Sequence, residues 1–180
     1  MQGTGKHAYA MTDRQRQFES LLQEHRGIVF KVASIYARGS EDRSDLAQEI
    51  AVQLWRSFAS FDAARAKFST WMYRVALNMA ISHARQAERD KRLEPLDAAH
   101  LELPGDADVS QPDERLAALY AFIGQLDPLN RALILLYLED RSHAEIAQVL
   151  GISETNVATK IGRIKQKLRG QMTVDLSTGA

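Results

Sequence analysis

The richest chemical signal in the chain is the stretch SHAEIAQVLGISETNVATKIGRIKQKLR, residues 142–169. From residue 153 onward it carries Thr155, Asn156, Thr159, Lys160, Arg163, Lys165, Lys167 and Arg169, with Glu154 as the single acid. Hydroxyl and amide groups at a helix start can reach base edges or phosphates in a major groove, and the cations that follow neutralise backbone charge. A second set lies in FSTWMYRVALNMAISHARQ, where Arg74, Asn78, Ser82 and Arg85 recur at i, i+4, i+8 and i+11. This is a polar, basic ridge on one helix side. A third set is acidic and amidic: Asp45, Gln48 and Glu49, with Val52 and Arg56, fall roughly opposite Leu46, Ile50, Leu54 and Phe58 in DLAQEIAVQLWRSF. Taken alone, each face has a plain alternative as solvated surface, and a basic helix end also suits the helix dipole.

Other chemistries find little support. The 180 residues include no cysteine, so disulfides, thiolate zinc and a cysteine nucleophile are out. The five histidines, His7, His25, His83, His100 and His143, form no metal-spaced pair, and no glycine-rich phosphate loop or nucleophile motif appears. Neither an enzyme nor a cofactor is expected. No apolar run approaches the roughly 20 residues that span a bilayer, and the start MQGTGKHAYA lacks the apolar centre of a signal peptide. The reading is a cytoplasmic chain without membrane insertion. Lys plus Arg and Asp plus Glu are 23 each, but a net charge of zero conceals segregation along the chain, which is what a polyanion senses.

Helical spacing of apolar residues runs from Thr12 to about Gln86, enough for three or four helices. The six aromatics Trp55, Phe58, Phe61, Phe68, Trp71 and Tyr73 read as core, and Trp71, Met72, Val75, Ala76 and Met79 as a buried stripe. Periodicity stops in LEPLDAAHLELPGDADVSQPDE, residues 93–114, which hold three of the four prolines, seven acids and no Lys or Arg. This is a flexible acidic linker, long enough to reach roughly 70 Å when extended. Helical spacing resumes at Arg115, punctuated into about four helices by Asp127-Pro128, a Ser142/Glu145 capping box and Ser153. Ala147, Gly151 and Val157 fall where a helix-turn-helix needs a small contact residue, a turn glycine and a core anchor. The expected fold is therefore all-α: a disordered start over 1–11, a helical domain over 12–92, the linker over 93–114, a helix-turn-helix domain over 115–170 and a disordered tail over 171–180.

DLAQEIAVQLWRSF followed by FSTWMYRVALNMAI resembles the second region of extracytoplasmic-function sigma factors, and the helix-turn-helix half resembles their fourth region. The likeness covers about residues 18–92 and 116–169, in the family's order and with its usual linker length. It implies an initiation factor that binds core RNA polymerase, directs it to promoters and promotes their opening. By the same resemblance, Asp45, Gln48 and Glu49 dock on the clamp helices of the largest polymerase subunit. The loop around 61–67, including Phe61, and Asn78 receive a base flipped from the minus-ten element, and Arg74, Ser82 and Arg85 lie alongside, the arginines holding phosphates. Thr155, Asn156, Thr159, Lys160 and Arg163 meet the minus-35 duplex, the linker threads the RNA exit path, and an anti-sigma partner is implied. The sequence departs from common forms at Ala158, Gly162 and Ile164, so the family's usual minus-35 sequence does not carry over. The rival reading is a two-domain helix-turn-helix regulator, which requires a ligand pocket and dimerisation in the first half.

Overall fold

The computed structural model describes residues 12–93 and 114–178, and among these every regular element is helical. The expected disordered start and linker residues 94–113 lie outside the described residues. The first half comprises α1 (Asp13–Tyr36), α2 (Ser40–Ser57), a 3-10 turn (Phe58–Ser60) and α3 (Phe68–Leu93). The second comprises α4 (Glu114–Gly124), α5 (Pro128–Leu138), α6 (His143–Leu150) and α7 (Glu154–Thr178).

Local chemistry sets the boundaries. Thr12 and Gln15 form a capping box that starts α1. Gly39 offers α2 no side-chain cap, and Glu41 and Asp42 in the first turn, with Arg56 in the last, complement its dipole instead. Asp127 accepts the amide N–H of Asn130 at 3.0 Å, with Pro128 at the first position of α5, where no intrahelical partner is needed for its missing N–H. At the other end of α5, Asp140 adopts φ 54 while its N–H reaches the Tyr137 carbonyl and that of Arg141 the Leu136 carbonyl. That pair of bonds is a Schellman stop, with aspartate in the left-handed position usually given to glycine. It fixes where Glu139 and Arg141 emerge.

The helix faces pack as their periodicity requires. Leu46, Ile50 and Leu54 of α2 are fully buried, as are Val32 and Ala33 of α1 and Met72, Ala76, Leu77 and Ala80 of α3. Each large side chain so removed from water contributes about 1.5–3 kcal/mol. In the second half Leu133, Leu136, Ile146 and Val157 play the same part. The two cores merge into one apolar cluster, with α3 packed on α5 and α6, and α1 touching α4.

A polar seam crosses the junction. Lys31 Nζ donates to Glu139 Oε1 at 2.6 Å, the Tyr73 hydroxyl to Glu139 Oε2 at 3.3 Å, and the buried Tyr36 hydroxyl to the Pro128 carbonyl at 2.6 Å. The Arg141 guanidinium lies 5.3 Å from the centre of the Tyr73 ring. Burial pushes the Tyr73 phenol up to about 12, helped by the Glu139 carboxylate, and burial raises that of Tyr36 well above its ordinary range. Both are therefore neutral hydrogen-bond donors at pH 7.

One expected boundary changes. Instead of fraying into a disordered tail after residue 170, α7 continues to Thr178. Residues 171–178 contain no proline, and a glycine at position 170 inside a helix costs only about 1 kcal/mol relative to alanine.

Candidate nucleic-acid and polymerase interface

On α2 the buried line Leu46, Ile50 and Leu54 orients the opposite face outward. Asp45, Gln48, Glu49 and Arg56 are exposed, and Val52 is 42% exposed among them. Among the described residues Asp45, Gln48 and Glu49 make no side-chain hydrogen bond or ion pair, so their acceptors are unengaged. Trp55, expected in the core, is 38% exposed, tilted on Phe18 at 5.2 Å, with the Arg14 guanidinium 5.7 Å from its ring. Helical spacing did not reveal this contribution from α1.

Between the 3-10 turn and α3, the chain turns at Asp62, whose carboxylate accepts the Ala64 N–H at 2.9 Å and whose carbonyl accepts from Arg65 and Ala66. Phe61 is half-buried at the edge of this loop, stacked on Phe58 at 6.2 Å and edge-on to Phe68 at 5.3 Å. It also lies 5.4 Å from Trp71. Of the expected buried stripe on α3, Met72 and Ala76 are fully buried, whereas Trp71, Val75 and Met79 are only half-buried. At 100° per residue Trp71 lines up with Arg74, Asn78, Ser82 and Arg85, all four of which are exposed. The ridge is thus one continuous strip beginning at an aromatic pair, Phe61 and Trp71. From Arg74 to Arg85 it covers about 16 Å of helix. Phe61 meets only the aromatic end of the strip, with Ser82 and Arg85 two turns or more beyond.

In the second half, Gly151 ends α6 at φ 68, and its N–H and that of Ile152 both reach the Ala147 carbonyl. Ser153 Oγ accepts the Asn156 N–H at 3.2 Å and starts α7. Val157, Ile161 and Ile164 anchor α7 to the core, leaving Thr155, Asn156, Thr159 and Arg163 exposed and Lys160 half-buried. The Thr159 hydroxyl donates to the Thr155 carbonyl at 2.9 Å, so it faces outward as an acceptor. Lys165, by contrast, is held inward. Its ammonium donates to the Tyr137 hydroxyl at 2.6 Å and lies 4.2 Å from that ring's centre. Lys167 and Arg169 remain exposed.

Of the described histidines, His25 lies against Phe68 and His83 is 3.5 Å from Asp42. No group of three potential metal ligands occurs among the described residues. Two shallow concavities lie among the described residues, one over α1 at Arg16, Glu19 and Gln23 and another of about 280 Å³ along the seam at Lys31, Tyr73, Glu139 and Arg141. None of the described helices is long and apolar enough to cross a membrane.

Residues 21–90 match Sigma-70 region 2, and residues 116–168 match Sigma-70, region 4, together more than half of the chain. The chain is 28% identical to the ECF RNA polymerase sigma factor SigW of Bacillus subtilis, covering 88% of this chain and 90% of that protein. It is 29% identical to the RNA polymerase sigma factor CnrH of Cupriavidus metallidurans, covering 93% of each. The solved structure of CnrH in complex with the cytosolic domain of CnrY superposes with a TM-score of 0.64 at 26% identity, over 89% of this chain and 90% of that one. The sigma factor RpoE from Bartonella quintana, solved with the anti-sigma factor NepR, shares the fold with a TM-score of 0.69 at 18% identity, over 89% of this chain and 99% of that one. Both sigma regions, in order and on a shared helical scaffold, place the chain in the sigma-70 family as an extracytoplasmic-function factor that directs RNA polymerase to promoters.

Proposed function

We propose a division of labour among the three exposed faces. Asp45, Gln48 and Glu49 on α2 bind the clamp helices of the largest polymerase subunit. Phe61 and the loop 61–67, with Asn78, receive a base extruded from the non-template strand of the minus-ten element, while Arg74, Ser82 and Arg85 hold the neighbouring backbone. Thr155, Asn156, Thr159, Lys160 and Arg163 bind the minus-35 duplex. The observation that carries this reading is the separation of each exposed set from a buried line on its own helix, which leaves the polar groups of α2 and α3 uncommitted.

The chemistry fits the assignment. Asn78 has a donor and an acceptor on one short side chain, suited to a single base edge. The cations of α7 suit a duplex backbone. The factor catalyses nothing itself; it spends binding energy on unstacking and capturing bases, and polymerase performs the synthesis. Its place of action is the cytoplasm. An acidic linker over 93–114 occupying the basic RNA path of the polymerase, and an anti-sigma partner like those in the CnrH and RpoE complexes, complete the proposal. The test is transcription by purified core polymerase, with and without this protein, on a genomic DNA library. Discrete new start sites are expected; none would overturn the reading.

A further inference from the structure

We propose that Tyr137 and Lys165 are a positioning pair that fixes how α7 is turned about its own axis, and so sets base discrimination at the minus-35 element without Lys165 touching DNA. This rests on the assignment of α7 to the minus-35 duplex.

The first support is angular. At about 100° per residue, Thr155, Asn156, Thr159, Lys160, Arg163 and Lys167 all fall within an arc of roughly 140° around α7. Lys165 lies outside it, about 160° around the helix from both Arg163 and Lys167. It flanks the buried line Val157, Ile161 and Ile164, at about 40° from Ile161. A duplex facing the polar arc is out of its reach.

The second support is what holds the ammonium instead. Lys165 Nζ donates to the Tyr137 hydroxyl at 2.6 Å and lies 4.2 Å from the centre of that ring, with both side chains half-buried. One residue thus offers the cation both an acceptor and a π face, and the pairing is directional. Tyr137 is itself fixed in place. It is the penultimate residue of α5, and its carbonyl accepts the Asp140 N–H at 3.1 Å in the stop that sends the chain on to α6. The pair therefore ties α7 to the point from which the first helix of the helix-turn-helix departs.

The third support is the consequence of losing it. Val157, Ile161 and Ile164 fix the depth of α7, but apolar contact is non-directional and resists rotation weakly. A turn of about 20° carries an atom at the helix surface through roughly 2 Å, more than a hydrogen bond to a base edge tolerates. Long, flexible cations can follow a phosphate over that distance. Selectivity should suffer before affinity does.

Reductive methylation of the free full-length factor with formaldehyde, read by mass spectrometry, reports the pair directly. Lys165 should react several-fold more slowly than the exposed Lys167, and Tyr137→Phe, which keeps the ring but removes the acceptor, should abolish most of that protection. Holoenzyme is then assayed well below its melting temperature on a promoter fragment from a mapped start site, with the minus-ten element pre-melted, and on its single-base-pair minus-35 variants. Lys165→Met and Tyr137→Phe should each lower discrimination about three- to tenfold, with the log-log salt slope of the parent retained. The double variant should be no worse than either single one, and Lys165→Arg, which keeps a charged donor, should retain most of the discrimination. Arg163→Ala should flatten the slope by about one unit. Fast labelling of Lys165 in the parent, a slope about one unit flatter in Lys165→Met, additive losses in the double variant, or a lower melting temperature with unchanged discrimination would each overturn the positioning role. A parental slope in Arg163→Ala would overturn the placing of α7 on the duplex and this inference with it. The labelling needs no DNA, so it separates failure of the pair from failure of the DNA assignment.

Discussion

Ser142 and Glu145 hold each other across the first turn of α6. The Ser142 N–H donates to Glu145 Oε2 at 3.0 Å, and the Glu145 N–H donates to Ser142 Oγ at 3.2 Å. The backbone bond from Ser142, then its hydroxyl, holds the Glu145 carboxyl below its ordinary value of 4.5, with Arg141 and Lys67 adding smaller pulls in the same direction. A depressed folded-state pKa means stability that is fully present above the unfolded value and lost as pH falls through the folded one. Glu145→Gln keeps the capping geometry but not the charge. At pH 7 it should cost about 0.3–1 kcal/mol, and the difference from the parent should shrink as pH falls below 4.5. Thermal unfolding at stepped pH checks this; a difference that persists unchanged into strong acid contradicts it.

Gly151 ends α6 in the left-handed region, and a Cβ added there would meet nothing within 4 Å. Gly151→Ala should therefore carry only the local cost of a Cβ in the left-handed region, about 1–2 kcal/mol, with no clash against other parts of the protein. Denaturant unfolding should show the lower midpoint, and weaker minus-35 duplex binding should follow only as the turn loosens.

Asp45 and Glu49 are exposed on a helix whose other face is fully buried. Reversing both charges to lysine should leave stability within about 0.5 kcal/mol while lowering affinity for core polymerase. Binding titration against core enzyme and a parallel melting curve separate the two effects. Unchanged affinity would remove α2 from the polymerase interface.

Asn78 on α3 and the pair Lys160 and Arg163 on α7 should fail in different ways. Asn78→Ala should cost about 1–3 kcal/mol in discrimination at one minus-ten position and leave upstream duplex binding intact. Lys160→Ala with Arg163→Ala should weaken upstream binding and flatten its salt dependence by about one unit of log-log slope for each phosphate no longer neutralised. A pre-melted minus-ten template should rescue much of the activity of the second variant. Holoenzyme assays on closed and pre-melted templates across a salt series compare them, and an identical defect on every template would refute the separation of roles.

The helices and their ends were legible because their causes are local. Leu46, Ile50, Leu54 and Phe58 fall on one side at helical spacing and are buried as a line. Asp127-Pro128, Ser142 with Glu145, and Ser153 each supply the cap that starts their helix. Ala147, Gly151 and Val157 likewise marked the helix-turn-helix, since a left-handed turn and a buried anchor are needs that particular residue types meet. Tertiary structure decided the remainder. Periodicity shows which side of a helix is apolar but not where that side's margin falls, so Trp71 and Trp55 read as core while packing left them half-buried and exposed. Nor could residue spacing show that Lys165 is held by Tyr137, or that Lys31 and Glu139, 108 positions apart, meet across two merged cores. Such pairings depend on how finished helices are placed against one another, and that placement follows from the summed burial of many side chains rather than from any short stretch of sequence.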